Sequence, residues 1–341
     1  IYFWEEEVPS YSGASFKENF RMSRRSFEIL CEKLYFLKRQ DTNKRKAIPL
    51  QKRIAIALYA LASSSEYRTV ANLFSVGRTT VGEIALEFCS AVCTILQSEY
   101  LNTYPPSPEK LVDIVGGFKR LGFPQCFGAI DGCHIEISPH KDEAVDFYNF
   151  KGWYSIILCE FTYIKVGAPG RNNDSYIFEN SSLKKFHETN RAFQENYEVI
   201  ENTKVPILLI GDSAFRLSNH VMKPYPYSTT QSHEEKHFNY RLSKCRRVIE
   251  NAFGQLKARF RKIGKGLEVR PENSTTIIKA CCILHNFLKV ENDNVENNWV
   301  EELEAGENNQ SQRQPQHVST HGENDPDAKT IRNALTCYFS K

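Results

Sequence analysis

Four acidic residues in this chain stand where they could act together, namely Asp131, Asp174, Asp212 and Glu250. Carboxylates gathered in one place repel one another unless cations stand between them. Mg²⁺ or Mn²⁺ suits such a set, since a hard divalent cation takes few protein carboxylates, keeps waters and completes its shell with phosphate oxygens. Two such ions can clamp the attacking and leaving oxygens of a phosphodiester displacement. Each acid also has a plainer explanation. Asp131-Gly132 is a common turn dipeptide, Asp174 can cap a helix, and Asp212 can end a strand in solvent. Glu250 can pair with Arg246 or Arg247 on its own helix.

The acids need elements to hold them. Residues 126–130 and 133–137 alternate like strand segments on either side of Asp131-Gly132, and 153–158 and 161–166 are two further strand candidates. Asp174 opens a helical stretch with Ile177, Phe178 and Leu183. The run Val-Pro-Ile-Leu-Leu-Ile at 205–210 is a buried-type strand ending on Gly211-Asp212. Residues 240–263 carry Leu242, Cys245, Ile249, Phe253, Leu256 and Phe260, the spacing of a long amphipathic helix. This order predicts an α/β sandwich around a mixed sheet, and strand carboxyl ends are where such sheets bind ligands. Between 241 and 265 nine basic residues accompany one acid, Glu250. A lone carboxylate in a phosphate-attracting stretch tips the balance from structural to metal-binding. Arg246, Arg247, Lys257, Arg259 and Lys262 are the expected contacts to a DNA backbone.

Residues 15–100 have helical spacing almost throughout. A helix through Leu73 and Phe74, a turn at Ser75-Val-Gly77 and a helix from Arg78 predict a helix-turn-helix, or an ordinary helical hairpin. In the DNA-reading version, Arg78, Thr79 and Thr80 open the second helix towards a groove or phosphates. The Pro-rich loop at 101–108 marks a boundary between a helical unit, 1–105, and a catalytic unit, 106–290. Residues 291–341 carry a balance of −6 against +9 for the rest, so an anionic partner suits the folded part. That last stretch, rich in Asn, Gln and Glu, is expected to be an acidic, mostly disordered tail with an apolar return at 331–339.

The longest apolar run, 54–62, is too short to span a bilayer, so no membrane association is expected. The chain opens on Ile1 without a signal-peptide pattern, and its ten scattered cysteines sit among apolar neighbours as reduced core thiols do. His134, His140, Cys126 and Cys133 can be drawn as a zinc site, but no Cys-x-x-Cys pair supports it.

Several blocks carry a family resemblance. Asp131-Gly-Cys-His134, Lys151-Gly-Trp-Tyr-Ser155, the stretch from Val166 to Ser175, Gly211-Asp-Ser-Ala-Phe215, Arg246-Arg-Val-Ile-Glu-Asn-Ala-Phe-Gly-Gln-Leu-Lys257 and Cys281-Cys-Ile-Leu-His-Asn-Phe287 resemble the PIF/Harbinger transposase family. That family includes host proteins derived from transposases and described as nucleases. The resemblance implies an RNase H-like catalytic domain of the DDE type, dependent on a divalent metal, behind a helical DNA-binding region. Position by position, Asp131 matches the first catalytic acid and Glu250 the last, with Asp212 ranked over Asp174 for the middle role. All four are candidate metal ligands. The resemblance further implies a nuclear DNA endonuclease acting on duplex DNA, with a Myb-like partner protein; self-association and cytoplasmic residence stay open. The rival expectation is an adaptor that keeps the fold and has lost the chemistry. One departure stands out: only Cys159-Glu160 joins the second and third strands, where related sequences have a longer connection, and Cys-Glu lacks the residues a two-residue turn favours.

Overall fold

The computed structural model describes residues 3–101, 106–159, 164–308 and 325–341. The N-terminal region is helical as its spacing predicts: α1 (Gly13–Phe20), α2 (Arg24–Lys33), α3 (Leu50–Ala62), α4 (Tyr67–Phe74) and α5 (Arg78–Ile95), followed by α6 (Pro108–Leu121). Ser12, Ser23 and Ser107 cap α1, α2 and α6 by accepting a backbone N–H. Helix α4 ends on Ser75 in the left-handed region and α5 starts after Gly77, so a tight three-residue turn joins them.

The sheet elements are β1 (Cys126–Ala129), β2 (Gly132–Glu136), β3 (Ser155–Cys159) and β4 (Lys165–Pro169), then helices α7 (Asp174–Glu179) and α8 (Ser182–Thr189). After them come β5 (Tyr197–Ile200), β6 (Thr203–Pro206), β7 (Leu208–Ile210) and β8 (Val221–Met222). Strands β1, β7 and β8 form a parallel sheet, while β2, β3 and β4 form an antiparallel one with Gly132 opposite Cys159 and Glu136 opposite Ser155. The two sheets meet where β1 passes into β2, at Ile130 and Asp131, and Ile130 extends the parallel ladder by donating to the Ile210 carbonyl. The expected strand at 205–210 is split. Pro206 has no N–H to continue a ladder, so β6 pairs back on β5 and β7 crosses to β1. The third strand of the antiparallel sheet also lies later than the 161–166 expected, at 165–169, and residues 160–163 of the short connection fall outside the described residues.

Helix α9 (His233–Arg259) starts earlier than its apolar stripe suggested, because Ser232 and Glu235 form a reciprocal capping box. It breaks at Phe260, and a short α10 (Arg261–Lys265) follows. The C-terminal part holds α11 (Pro271–Val290), α12 (Asn297–Asn308) and α13 (Pro326–Phe339).

The parallel sheet is a sandwich filling, as its alternation dictates. Leu208, Ile210 and Met222 face Phe238, Leu242, Leu335 and Phe339 of α9 and α13, while Phe127, Leu209 and Val221 face Phe178, Leu183 and Phe193. A second core joins α1–α5 to Ile135, Ile156, Ile249, Phe253 and the buried face of α11. This core runs straight across the boundary expected near residue 105, so the N-terminal helices share their interior with the later ones. The region expected to be a disordered acidic tail contains a docked helix, α12, and the apolar return expected at 331–339 lies in a second, α13. Buried Trp299 anchors α12, its Nε1 donating to Glu18 Oε2 at 2.7 Å, and Phe339 stacks edge-on against Phe123 at 5.3 Å. Residues 309–324 lie outside the described set.

Candidate active site

Asp131 sits at the junction of the two sheets, half-buried, with its Oδ1 accepting from the Gly132 N–H at 2.9 Å. Asp174 is the first residue of α7; the capping role falls to Asn173, whose Oδ1 accepts from the Tyr176 N–H. The Asp174 side chain is therefore free of capping duty and packs against Gly132, where a Cβ would collide with its carboxylate. Any larger residue at 132 would displace the Asp174 carboxylate from where it sits. Asp212 follows β7 at its carboxyl end, Oδ1 accepting from the Ala214 N–H at 2.9 Å. Glu250 lies on α9, with its side chain 43% exposed.

These groups feel one another. Burial, helped by Asp212 and Glu250, pushes the Asp131 carboxyl up to about 6 against the pull of Arg246. Burial pushes Asp174 up to about 7, and the charges of Asp131 and Asp212 add to the effect. Asp174 Oδ1 is buried without a hydrogen-bond partner. Arg246 bridges the outer pair, donating from Nη1 to Asp131 Oδ2 at 2.8 Å and pairing from Nη2 with Glu250 Oε1 at 2.5 Å. The sequence placed Arg246 on phosphate; the structure sets it between two acids, so the ordinary i,i+4 pairing of Glu250 is real as well. Sequence reasoning offered the Glu250 half of this clamp from its four-residue spacing and missed the Asp131 half, which no local spacing signals.

The donor set fits a divalent cation. Three aspartates and a glutamate, with Arg246 paired to two of them and Lys151 and Lys223 acting from nearby, make an oxygen-rich locus, and the orphaned Asp174 oxygen is a donor with nothing to bind. Among the described residues no three His, Cys, Asp or Glu converge on one point. Mg²⁺ asks less than that, since one or two carboxylates plus water and phosphate suffice.

The drawn zinc site does not assemble. His134 Nδ1 is 2.8 Å from Ser155 Oγ, and exposed His140 pairs with Asp142. Burial, followed by the charges of Lys151 and Lys257, holds the His134 imidazole down at about 4. Neither Cys126 nor Cys133 enters a disulfide.

The basic candidates divide. Arg247 is exposed, and Lys257 lines a cleft beside His134. Lys262 is half-buried with its ammonium 5.4 Å above the Tyr67 ring. Arg259 is a correction: it is 1% exposed, its guanidinium donating to the carbonyls of Arg21 and Asp293, which leaves no face for phosphate. The sequence could not separate it from its neighbours, because an arginine aimed inward at the break of α9 looks like one more basic residue. Arg78 and Thr79 are exposed at the start of α5 and Thr80 is partly so.

Two family profiles match the chain: a DDE superfamily endonuclease over residues 130–286 and a domain of unknown function (DUF8040) over 4–94. The chain is 28% identical over 293 residues to the protein named ALP1-like of Arabidopsis thaliana, covering 80% of this chain and 70% of that protein. It is 28% identical over 312 residues to Antagonist of like heterochromatin protein 1 of the same plant, covering 84% and 76%. To HARBI1 of Bos taurus, a candidate nuclease by its name, it is 26% identical over 259 residues, covering 73% and 70%. No solved structure matches it at a significant level. The first profile spans all four acids, from the residue before Asp131 to beyond Glu250. The chain thus carries a DDE superfamily endonuclease domain over residues 130–286 and is similar to the harbinger transposase-derived nucleases.

Proposed function

We propose that this protein is a divalent-cation-dependent DNA endonuclease that hydrolyses phosphodiester bonds, with Asp131, Asp212 and Glu250 as the catalytic acids and Asp174 as an additional metal ligand. The observation that carries this reading is the buried, mutually repelling carboxylate group at the sheet junction, with Asp174 Oδ1 unpaired. Bound Mg²⁺ or Mn²⁺ supplies an activated water and charge stabilisation at the leaving oxygen. The strand order β4-β3-β2, with β1 continuing into β7 and β8, is what an RNase H-like domain requires, and it supports that fold assignment.

The protein's own residues divide the work. Asp131 and Asp212 hold their carboxylates at strand ends, where backbone N–H groups fix their orientation. Arg246 keeps Asp131 and Glu250 at a set separation. Arg247, Lys257 and Lys262 grip the duplex backbone, and Arg78, Thr79 and Thr80 present the start of α5 to DNA. A nuclear location and a Myb-like partner that supplies target choice complete the reading; no described helix is long and apolar enough to cross a membrane.

Two observations favour a second reading, a non-catalytic chromatin adaptor. Arg246 already pairs with both Asp131 and Glu250 without a cation, and one relative is named for antagonism of a heterochromatin protein. Nicking of supercoiled plasmid with Mg²⁺ or Mn²⁺ separates the two. The nuclease reading expects cutting that EDTA stops and that Asp131→Asn, Asp212→Asn and Glu250→Gln each abolish. Absence of cutting at any cation concentration, or wild-type rates in all three variants, sinks it.

A further inference from the structure

The segment joining β2 to β3 carries an aromatic surface that the carboxylate chemistry does not explain. Phe150 is 58% exposed, Tyr148 50% and Tyr154 38%. Water contact on rings of this size is unfavourable unless something else covers them. The loop that presents them is built. Asn149 is 2% exposed, its Oδ1 accepts from the Lys151 and Trp153 N–H groups at 2.9 and 3.3 Å, and its Nδ2 donates to Ser155 Oγ. Gly152 takes φ +88°, which closes the turn. Phe150 and Trp153 both stand edge-on to His134, with ring centroids 5.6 and 5.9 Å from it.

This loop borders a cleft of about 760 Å³ whose lining includes Gly132, the residue in contact with the Asp174 carboxylate, and Phe150 stands beside it against the His134 ring. Lys151, Trp153, Lys257 and Lys265 line it, and the Lys151 charge is felt by Asp174. Ring faces beside lysines, leading into a phosphodiester-cutting centre, are the elements that bind an unpaired strand: cations follow the backbone while bases stack on the rings. A continuous duplex hides its base faces and cannot use the rings.

We propose that the cleft lined by Lys151 and Trp153, with Phe150 exposed on the same loop beside it, holds an unpaired DNA strand leading into the carboxylate centre, so that the substrate is a forked or frayed end. The inference rests on the nuclease reading for its direction and is tested by binding, which does not need cutting. Fluorescence anisotropy of the full chain in EDTA compares a labelled oligothymidylate with a blunt hairpin duplex of equal phosphate count. Phe150→Ala is expected to weaken the oligothymidylate about tenfold and leave the hairpin unchanged, with Phe150→Tyr restoring binding. Phe150 lies on the surface, and an unchanged melting curve verifies the fold. Equal loss on both probes, or no loss on either, overturns the proposal. Cutting of forked and blunt duplexes with Mn²⁺ keeps the two readings apart. Ring-dependent strand binding without any cutting removes the nuclease and leaves this surface, whereas cutting of blunt duplex as fast as fork, unaffected by Phe150→Ala, removes the surface alone.

Discussion

The interior holds two groups of charges, treated in opposite ways. Around Asp293 the charges are balanced acid by base: its Oδ2 accepts from the Ser23 N–H and the Ser26 hydroxyl, while Lys17 and Arg259 stand 3.4 and 3.7 Å from Oδ1. Arg21 lies over the Trp299 ring at 4.1 Å, so the cluster ties α1, α9 and α12 together. Around Asp131 the one arginine, Arg246, pairs with Asp131 and Glu250 alone, and burial raises Asp131 and Asp174 far above the usual carboxyl range. The first arrangement stabilises the fold. The second costs stability, which marks a site kept for something that binds there.

The largest effect should come from the balanced cluster. Arg259→Ala takes from buried Asp293 one of its two cationic partners and removes two bonds to carbonyls, so the fold should lose about 3 kcal/mol. Chemical denaturation measures it, and a loss confined to DNA affinity would return Arg259 to the phosphate contacts. The opposite sign is expected at the unbalanced site. Asp174 titrates at about 7 in the folded protein against an ordinary 3.8, so its ionisation costs stability as pH rises through that interval and costs nothing below it. Asp174→Asn should accordingly stabilise the cation-free protein by about 1–3 kcal/mol at pH 8 and much less at pH 5. Equal effects at both pH values would show that the carboxylate is not strained.

A smaller change is expected on the exposed face of α9. Replacing Arg247 and Lys257 with alanine should flatten the slope of log affinity against log salt by up to about two units on any duplex sequence. An unchanged slope would turn this face away from DNA.

The comparison also shows what the sequence could convey. The alternation at 126–137 and the apolar stripe of α9 placed Asp131 between two strand segments and Glu250 on a helix, because burial imposes period 2 and period 3.6 wherever an element has one dry face. The alternation did not reveal that Pro206 redirects the chain between strands, nor that Phe260 ends the helix, since both depend on tertiary partners. The acidic composition of residues 297–308 concealed a docked helix: one Trp299 in a cavity outweighs a polar surround. Likewise Lys151-Gly-Trp-Tyr was visible as a motif, while the turn that Asn149 builds under it was not. Arg246 and Arg259 show the limit most plainly, since both are arginines on one helix and only their surroundings assign one to the acids and the other to the core.

The central claim is that the strained carboxylates bind a divalent cation, and Mn²⁺ uptake followed by the electron paramagnetic resonance signal of the free ion tests it without reference to cutting. The intact protein should remove Mn²⁺ from solution, and Asp131→Asn and Asp212→Asn should each lose most of that uptake while melting normally. Equal uptake by all three proteins, or none by the intact one, would contradict the account.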